Sequence, residues 1–242
     1  MTRPHVLLSV AMSLDGYIDD RSEHRFPLSN AEDFDHVDRL RAESDAILVG
    51  AGTVRRDNPR LLVNDPRRRR ARLARGLPEF PLKATVTATG DLDPDRLFWH
   101  NGDRKVVYTT DSGARRASAA LGGLAEVVAL GPEVDLARML DDLGGRGVGR
   151  LMVEGGGAVH TAFLAAGLAD EVRVAVAPML VGQAAAPRFV NPAEFPGGPA
   201  RRFHLEDVTR VGDVAVLRYF PKRGAEAGPG EDPEEDPGED PA

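Results

Sequence analysis

Short apolar runs alternating with stretches of helical period recur along most of this chain, and that alternation restricts its fold more than any other feature. The runs fall at residues 6–12, 46–49, 84–88, 106–109, 127–130, 151–153, 172–177 and 214–220, each bounded by turn-forming residues. Helices are predicted between several of them. Ser29-Asn30-Ala31-Glu32 has the form of a capping box, with Phe34, Val37 and Leu40 following at three-residue spacing, so residues 30–43 should be helical. Residues 114–121 and 136–143 read the same way, and 160–166 follows a glycine run and stops at Gly167. Strand, helix, strand in repetition implies an α/β protein with a mainly parallel sheet flanked by helices. The end differs: 204–209, a turn at 211–213 and 214–220 read as an antiparallel hairpin at the sheet's edge. No internal repeat is visible.

Composition narrows the chemistry. With 242 residues the chain can bury a core without covalent staples, and with no cysteine it has no disulfide, thiolate zinc site, iron–sulfur cluster or cysteine nucleophile. The six histidines show no HExxH or other metal-binding spacing, so no metal is expected. The apolar run at the N-terminus is interrupted and lacks a cleavage site, and no run approaches the ~20 apolar residues of a membrane span, so a cytoplasmic protein without membrane contact is expected. The net charge of −7 is unevenly spread, since residues 224–242 hold eight acids and no base, leaving 31 bases against 30 acids elsewhere. Four prolines, four glycines and three alanines complete that tail. It is read as a disordered, solubilising extension of a folded domain spanning 1–223. Six arginines crowd residues 67–75, but without interleaved aromatics in a chain holding 28 Arg against three Lys. A solvated loop or short helix is expected there, and no nucleic-acid partner.

Three segments at predicted strand ends carry the candidate chemistry, because open α/β sheets bind ligands at the carboxyl ends of their strands. In Val49-Gly50-Ala51-Gly52-Thr53-Val54-Arg55-Arg56-Asp57-Asn58-Pro59 the glycines admit close approach of an anion and Thr53 offers a hydroxyl, although Arg55 occupies the third-glycine place of a dinucleotide fingerprint. In Met152-Val153-Glu154-Gly155-Gly156-Gly157-Ala158-Val159 a strand delivers Glu154 to its end and three glycines open a helix, either as an amide nest for pyrophosphate or as a plain tight turn. In Ser9-Val10-Ala11-Met12-Ser13-Leu14-Asp15-Gly16 small residues end the first strand before a turn.

Together, SVAMSLDGYI, LRAESDAILVGAGTVRRDNPRLLV and LMVEGGGAVHTAFLAAGLADEVRVAVAPMLVG resemble the pyrimidine reductase of riboflavin biosynthesis, of the dihydrofolate-reductase-like superfamily, from about residue 5 to 220. The resemblance implies NADPH-dependent reduction of a ribosylamino-pyrimidine 5′-phosphate to the ribitylamino product, by a homodimer without an attached deaminase. It assigns cofactor contacts to Ala11, Thr53, Asp57, Thr89, Gly155, Gly156, Gly157, Ala158, Val159, His160, Thr161 and Ala162, with His160 expected to present its backbone amide. It assigns substrate contacts to Ser22, Arg41, Leu61, Asn64 and Glu154, with Arg41 as the phosphate ligand and Glu154 reaching the pyrimidine or ribose. Asp57 and Glu154 are the candidate proton carriers. Two departures stand out. Ser9 occupies a position where some relatives carry lysine, and Asn64 one where most carry arginine, for which Arg60 or Arg67 is the candidate substitute. Two further readings remain open: a reductase of a pterin-like or specialised substrate on the same fold, and a non-catalytic nucleotide-binding protein. Residues 172–177 read either as an uncovered strand contributing to a dimer or as a central buried one.

Overall fold

The run HVLLSVAMS forms a strand, β1 (His5–Ser13), buried along nearly its whole length because helices cover both sides of the sheet in which it lies. In the computed structural model, residues 2–22 and 27–222 are described, and the acidic segment 224–242 lies outside them. Eight more strands follow: β2 (Ala46–Gly50), β3 (Leu82–Thr87), β4 (Lys105–Thr109), β5 (Glu126–Ala129), β6 (Arg150–Gly155), β7 (Glu171–Ala177), β8 (Phe203–Val211) and β9 (Val214–Pro221). They form one sheet in the order β5-β4-β3-β2-β6-β1-β7-β9-β8. Pairing is parallel from β5 to β7 and antiparallel where β9 meets β7 and β8. The hairpin turns on Gly212-Asp213, with Gly212 at a φ of 62°.

Among the described residues seven α-helices complete the layers: α1 (Ala31–Glu43), α2 (Ala51–Asp57), α3 (Pro66–Ala74), α4 (Leu97–His100), α5 (Asp111–Leu121), α6 (Leu136–Gly145) and α7 (Gly157–Ala165). Successive strand residues point to opposite faces, so β2 divides its side chains between two cores. Ala46 and Leu48 join Met139, Leu140 and Leu143 of α6 and Phe163 of α7, while Ile47 and Val49 join Val54 of α2, Phe98 and Trp99 of α4 and Leu121 of α5. Residues 172–177 belong to β7, which lies between β1 and β9, so the central reading of that strand holds. The edges of the sheet are β5 and β8, and on β8 Phe203, Leu205 and Val208 are exposed.

Two local readings need correction. The cap of α1 is Asn30 rather than Ser29: its side-chain oxygen accepts from the Asp33 N–H at 2.8 Å, and its amide donates to Val211 O and Asp213 Oδ1. That second grip fastens α1 to the β8–β9 turn, which a local capping pattern cannot show. The arginine cluster does form a short helix, α3, but half of it is committed internally instead of being solvated. Arg68 pairs with Asp35 and Asp38, Arg69 pairs with Glu79, and buried Arg72 donates to Ala42 O, Ser44 O and Pro78 O. Arg72 thus binds α3 to the carbonyls at the C-terminal end of α1, where a helix end favours positive charge, and Arg68 ties it to the carboxylates of the same helix.

Lys83 has a similar task beneath the 58–64 loop. Its buried Nζ donates to Arg60 O and Phe98 O and lies 4.4 Å from the centre of the Phe98 ring. Burial, reinforced by Lys105, pushes this ammonium down to about 7 from its ordinary 10.5. A base depressed in the folded state binds fewer protons there than when unfolded, so its effect on stability rises with pH between those two values. Urea unfolding should therefore show stability increasing from pH 7 to 9, by up to about 1.4 kcal/mol per pH unit. Lys83→Met should abolish that slope, and an unchanged slope would refute the assignment to Lys83.

Candidate active site

The insertion of β6 between β2 and β1 places the carboxyl ends of all three strands together, at the point where successive strands are not sheet neighbours. Such a reversal leaves a crevice because the flanking connections depart to either side. Here the crevice is a cleft of about 610 Å³, of the size of small-molecule sites. Its walls include Ser9, Val10 and Ala11 of β1, Gly52, Thr53, Arg56 and Asp57 of α2, and Glu154 with Gly156–His160 at the β6–α7 joint.

The three glycines of that joint have separate causes. Gly155 holds a φ of 120°, in a region closed to other residues, and a Cβ there would lie 3.1 Å from the His160 ring. A Cβ on Gly157 would lie 2.3 Å from Arg188 O, so this glycine admits the segment that brings Pro187 into the cleft wall. Gly156 faces α2, where the position of its absent Cβ is 3.1 Å from the Thr53 hydroxyl. The backbone N–H groups of Val159 and His160 both donate to Gly156 O, so His160 does not present the free amide expected of it. Its imidazole is fully buried against Phe189 with both ring nitrogens unpartnered, and burial pushes it down to about 4. The amides of Gly157 and Ala158, at the first turn of α7, are the ones that helix geometry leaves without an intrahelical acceptor.

Arg41 and Glu154 meet across the cleft as a bidentate pair, Nε to Oε1 and Nη2 to Oε2, both at 2.6 Å. The third guanidinium nitrogen donates to Leu62 O at 3.1 Å. Side-chain exposures of 19% and 13% put the pair mostly out of water, where a fork-to-carboxylate match is strongest. Coulombic attraction and hydrogen bonding to Glu154 outweigh burial and hold the Arg41 guanidinium above its ordinary value. Phe34 and Val37 line the same cleft, so part of the apolar stripe that marked α1 faces the site, and only Leu40 of that triplet is buried. Residues 34, 37 and 41 share one helical face. At the far end of that face buried Asp38 accepts from the backbone N–H groups of Asn64 and Asp65 and from Arg68, fixing Asn64 at the cleft mouth. Burial pushes the Asp38 carboxyl up, but these donors prevail and its net position is below the ordinary one.

A family model described as the RibD C-terminal domain matches residues 4–217. This chain belongs to that family. It is 35% identical over 212 residues to a protein of Archaeoglobus fulgidus named 2,5-diamino-6-ribosylamino-4(3H)-pyrimidinone 5′-phosphate reductase, covering 87% of this chain and 95% of the relative. A protein of the same name from Methanothermobacter thermautotrophicus is 39% identical over 181 residues, covering 74% and 80%. Among solved structures, Acinetobacter baumannii RibD, form 1, superposes with a TM-score of 0.74 at 24% identity, over 91% of this chain and 59% of that one. That likeness carries the fold: an α/β mixed sheet with a C-terminal antiparallel hairpin.

In this RibD C-terminal domain the cleft gathers Ala11, Arg41, Thr53, Asp57, Asn64, Glu154 and Gly156–His160 from among the residues singled out in the sequence. Others stand apart. Leu61, at a φ of 54°, is packed into the core beside Val54 and Phe98 instead of lining the cleft. Ser22 is exposed and its N–H and hydroxyl both donate to Asp20. Thr89 is exposed at the end of β3, accepting from the Asp91 N–H. Thr161 donates to Gly157 O and accepts from the Asn191 N–H, and neither it nor Ala162 reaches the wall. Arg60 and Arg67 are exposed and outside it as well, so neither replaces the missing arginine at Asn64. Sequence reading passed over Phe34, Val37 and Arg173 as cleft residues; for Arg173 the signal was a charge inside an apolar strand.

The joint fits a dinucleotide's pyrophosphate. A Cβ on Gly52 would meet no atom within 4 Å, so the backbone there opens on the cleft, beside the Thr53 hydroxyl and the first amides of α7. Among the described residues no cluster of His, Asp or Glu could hold a metal ion. Because Glu154 depends on Arg41 for its position, Arg41→Met should strand a largely buried carboxylate and lower the unfolding free energy by about 3 kcal/mol in chemical denaturation. A loss below about 0.5 kcal/mol would mean the pair is no more than a surface ion pair.

Proposed function

We propose that this RibD C-terminal domain reduces 2,5-diamino-6-ribosylamino-4(3H)-pyrimidinone 5′-phosphate to its ribitylamino product, with NADPH as reductant. One observation carries the reading: a single cleft holds both an amide cradle suited to pyrophosphate, at Gly52, Thr53 and the start of α7, and an oriented carboxylate, Glu154, beside an apolar wall of Phe34 and Val37. Its relatives' names supply the substrate. NADPH, when bound, supplies a hydride for C1′ of the sugar.

The remaining chemistry belongs to the side chains. Opening the ribosyl ring breaks the C1′–O4′ bond, gives O4′ a proton and leaves C1′ doubly bonded to the amino nitrogen. Asp57, in the cleft wall at the end of α2, is the residue proposed to deliver the proton to O4′. Glu154, with both oxygens oriented by Arg41, is instead an acceptor for the amino groups of the pyrimidine. Lone pairs beyond those engaged by the fork remain on each oxygen for this purpose. Phe34, 44% exposed on the cleft side of α1, offers a face for the flat ring.

A homodimer fits the same reading, built on β8, because an exposed edge strand bearing Phe203, Leu205 and Val208 is stabilised when paired or covered. A phosphorylated substrate and a dinucleotide, both anions retained inside cells, suit a cytoplasmic enzyme. Among the described residues no helix is long and apolar enough to cross a membrane.

Purified protein should oxidise NADPH with the diaminopyrimidinone phosphate, compared side by side with its deaminated uracil form, dihydrofolate and NADH. Turnover of neither pyrimidine would overturn the proposal, and turnover of dihydrofolate alone would move the enzyme to a pterin substrate. Asp57→Asn should lower kcat by about 100-fold with KM little changed. Retention of most of the wild-type kcat would remove Asp57 from proton transfer.

A further inference from the structure

Arg41, Arg56 and Arg173 line the cleft, and they differ in exposure. The side chain of Arg41 beside Glu154 is 19% exposed, that of Arg173 beside Asp33 2%, and that of Arg56 43%. A single nitrogen of Arg56, Nη2, serves both of its partners in the loop after β1, Asp19 Oδ2 at 2.9 Å and Asp20 O at 2.7 Å. Among the described residues, Nε and Nη1 of Arg56 have no hydrogen-bond acceptor. An ion pair this open to water adds little to stability, so Arg56 can exchange Asp19 for another anion at small cost.

The position of Arg56 on α2 supplies that anion's place. Arg56 follows Gly52 by four residues and Thr53 by three, so all three share one face of the helix. The rise from Gly52 to Arg56 is about 6 Å, which an extended arginine side chain spans. Helical side chains lean toward the N-terminus of their helix, which directs Arg56 back along this face. Nothing projects into that path at residue 52, where a Cβ would meet no atom within 4 Å. Past Gly52 lies the β6–α7 joint: the position of the absent Cβ of Gly156 is 3.1 Å from Thr53 Oγ1, so the start of α2 abuts the amides that open α7. Amides can hold a pyrophosphate but leave its charge unneutralised. A guanidinium free to change partners, one helical turn away, supplies the missing cation.

We propose that Arg56 is the cation of the dinucleotide cradle, leaving Asp19 when the cofactor binds and pairing with a pyrophosphate oxygen beside Gly52. This rests on the reading of the joint as a dinucleotide site. Asp19 is then a competitor of the cofactor for the same guanidinium. The two residues therefore have opposite effects: removing the carboxylate releases Arg56 to the cofactor, whereas removing the guanidinium leaves the pyrophosphate without its counter-charge.

Binding of NADPH, followed through the fluorescence of its reduced nicotinamide with no pyrimidine present, tests this without turnover. Arg56→Gln should raise Kd by about 20-fold, and Arg56→Lys, which keeps the charge, should stay within about threefold of the wild type. Asp19→Asn, which keeps the oxygen that accepts from the Asp20 N–H, should lower Kd by about threefold. Exposed positions tolerate such changes without loss of the fold. A contact that merely held residues 19 and 20 against α2 would be broken by either substitution. A higher Kd in both Arg56→Gln and Asp19→Asn thus overturns the proposal, as does an unchanged Kd in Arg56→Gln. Two fragments that displace NADPH identify the phosphate concerned. Affinity for 2′-phospho-ADP-ribose, which retains the pyrophosphate, should fall in Arg56→Gln by the same factor as for NADPH, and affinity for 2′-AMP, which lacks it, should not. Equal loss of both fragments would put Arg56 at the ribose phosphate and overturn the assignment. If this pattern is found while no pyrimidine is reduced, the proposed function fails and the assignment of Arg56 stands. If the pyrimidine is reduced and KM for NADPH is the same in the wild type and Arg56→Gln, the assignment fails and the function stands. Absence of NADPH binding to the wild type also overturns the assignment.

Discussion

How β6 ends decides what the cleft can be. The strand is buried between β2 and β1, so its position is set by pairing and by both cores, and Glu154 arrives at the sheet's end with little freedom. Within three residues the chain must leave the sheet, turn and start α7, with Gly155 in a conformation that a Cβ forbids and Gly157 against the backbone of Arg188. A side chain at either place would push α7 away from β2, where Gly50 already admits Val159 with no room for a Cβ. The amide cradle and the carboxylate are therefore two consequences of one strand-to-helix joint. Arg41 then couples that joint to α1, so the face bearing Phe34 and Val37 is held in register with Glu154.

Charge in the cleft is arranged by pairing rather than by excess. Asp19, Asp57 and Glu154 face Arg41, Arg56 and Arg173 in its lining, a balance that matches the near neutrality of the chain without residues 224–242. An anion entering the cleft would meet donors set by local geometry, such as the first amides of α7, and not a broad positive field. This explains how a chain with a formal charge of −7 can suit two phosphorylated ligands.

Legibility followed the range of the interactions involved. Strand runs and helix periods are local, and the alternation led directly to the parallel sheet with its terminal hairpin. Strand order is not local, and whether residues 172–177 form an edge or a centre depended on where β9 pairs. At the site, the β2–α2 and β6–α7 joints were visible through their glycines, of which Gly155 and Gly157 are required by backbone geometry and Gly50 by the closeness of Val159. Leu61 was misplaced because Lys83, fixing Arg60 O from another strand, turns that loop so that Leu61 enters the core. Phe34 and Val37 fit a core stripe equally well, and only the position of the cleft beside α1 separates the two readings. The Arg41–Glu154 pair spans 113 residues, and no spacing rule reaches that far.

The preference for arginine over lysine in this chain has a physical logic that the three-dimensional arrangement brings out. Arg72 donates to three carbonyls, and Arg41 binds a carboxylate with two parallel donors and a carbonyl with a third. A guanidinium does this in one plane and keeps its charge when buried, whereas an ammonium in a similar place is pushed toward losing its proton, as Lys83 is. Helix-to-helix fastening, the orientation of Glu154 and the buried pair of Arg173 with Asp33 all draw on that property. The arginines at 41, 72 and 173 are accordingly not interchangeable with lysine, although exposed ones such as Arg67 and Arg70 have no such constraint. Composition alone hides this distinction, since the same residue type serves as solvent-facing charge on α3 and as a partner that fixes carboxylates inside the cleft.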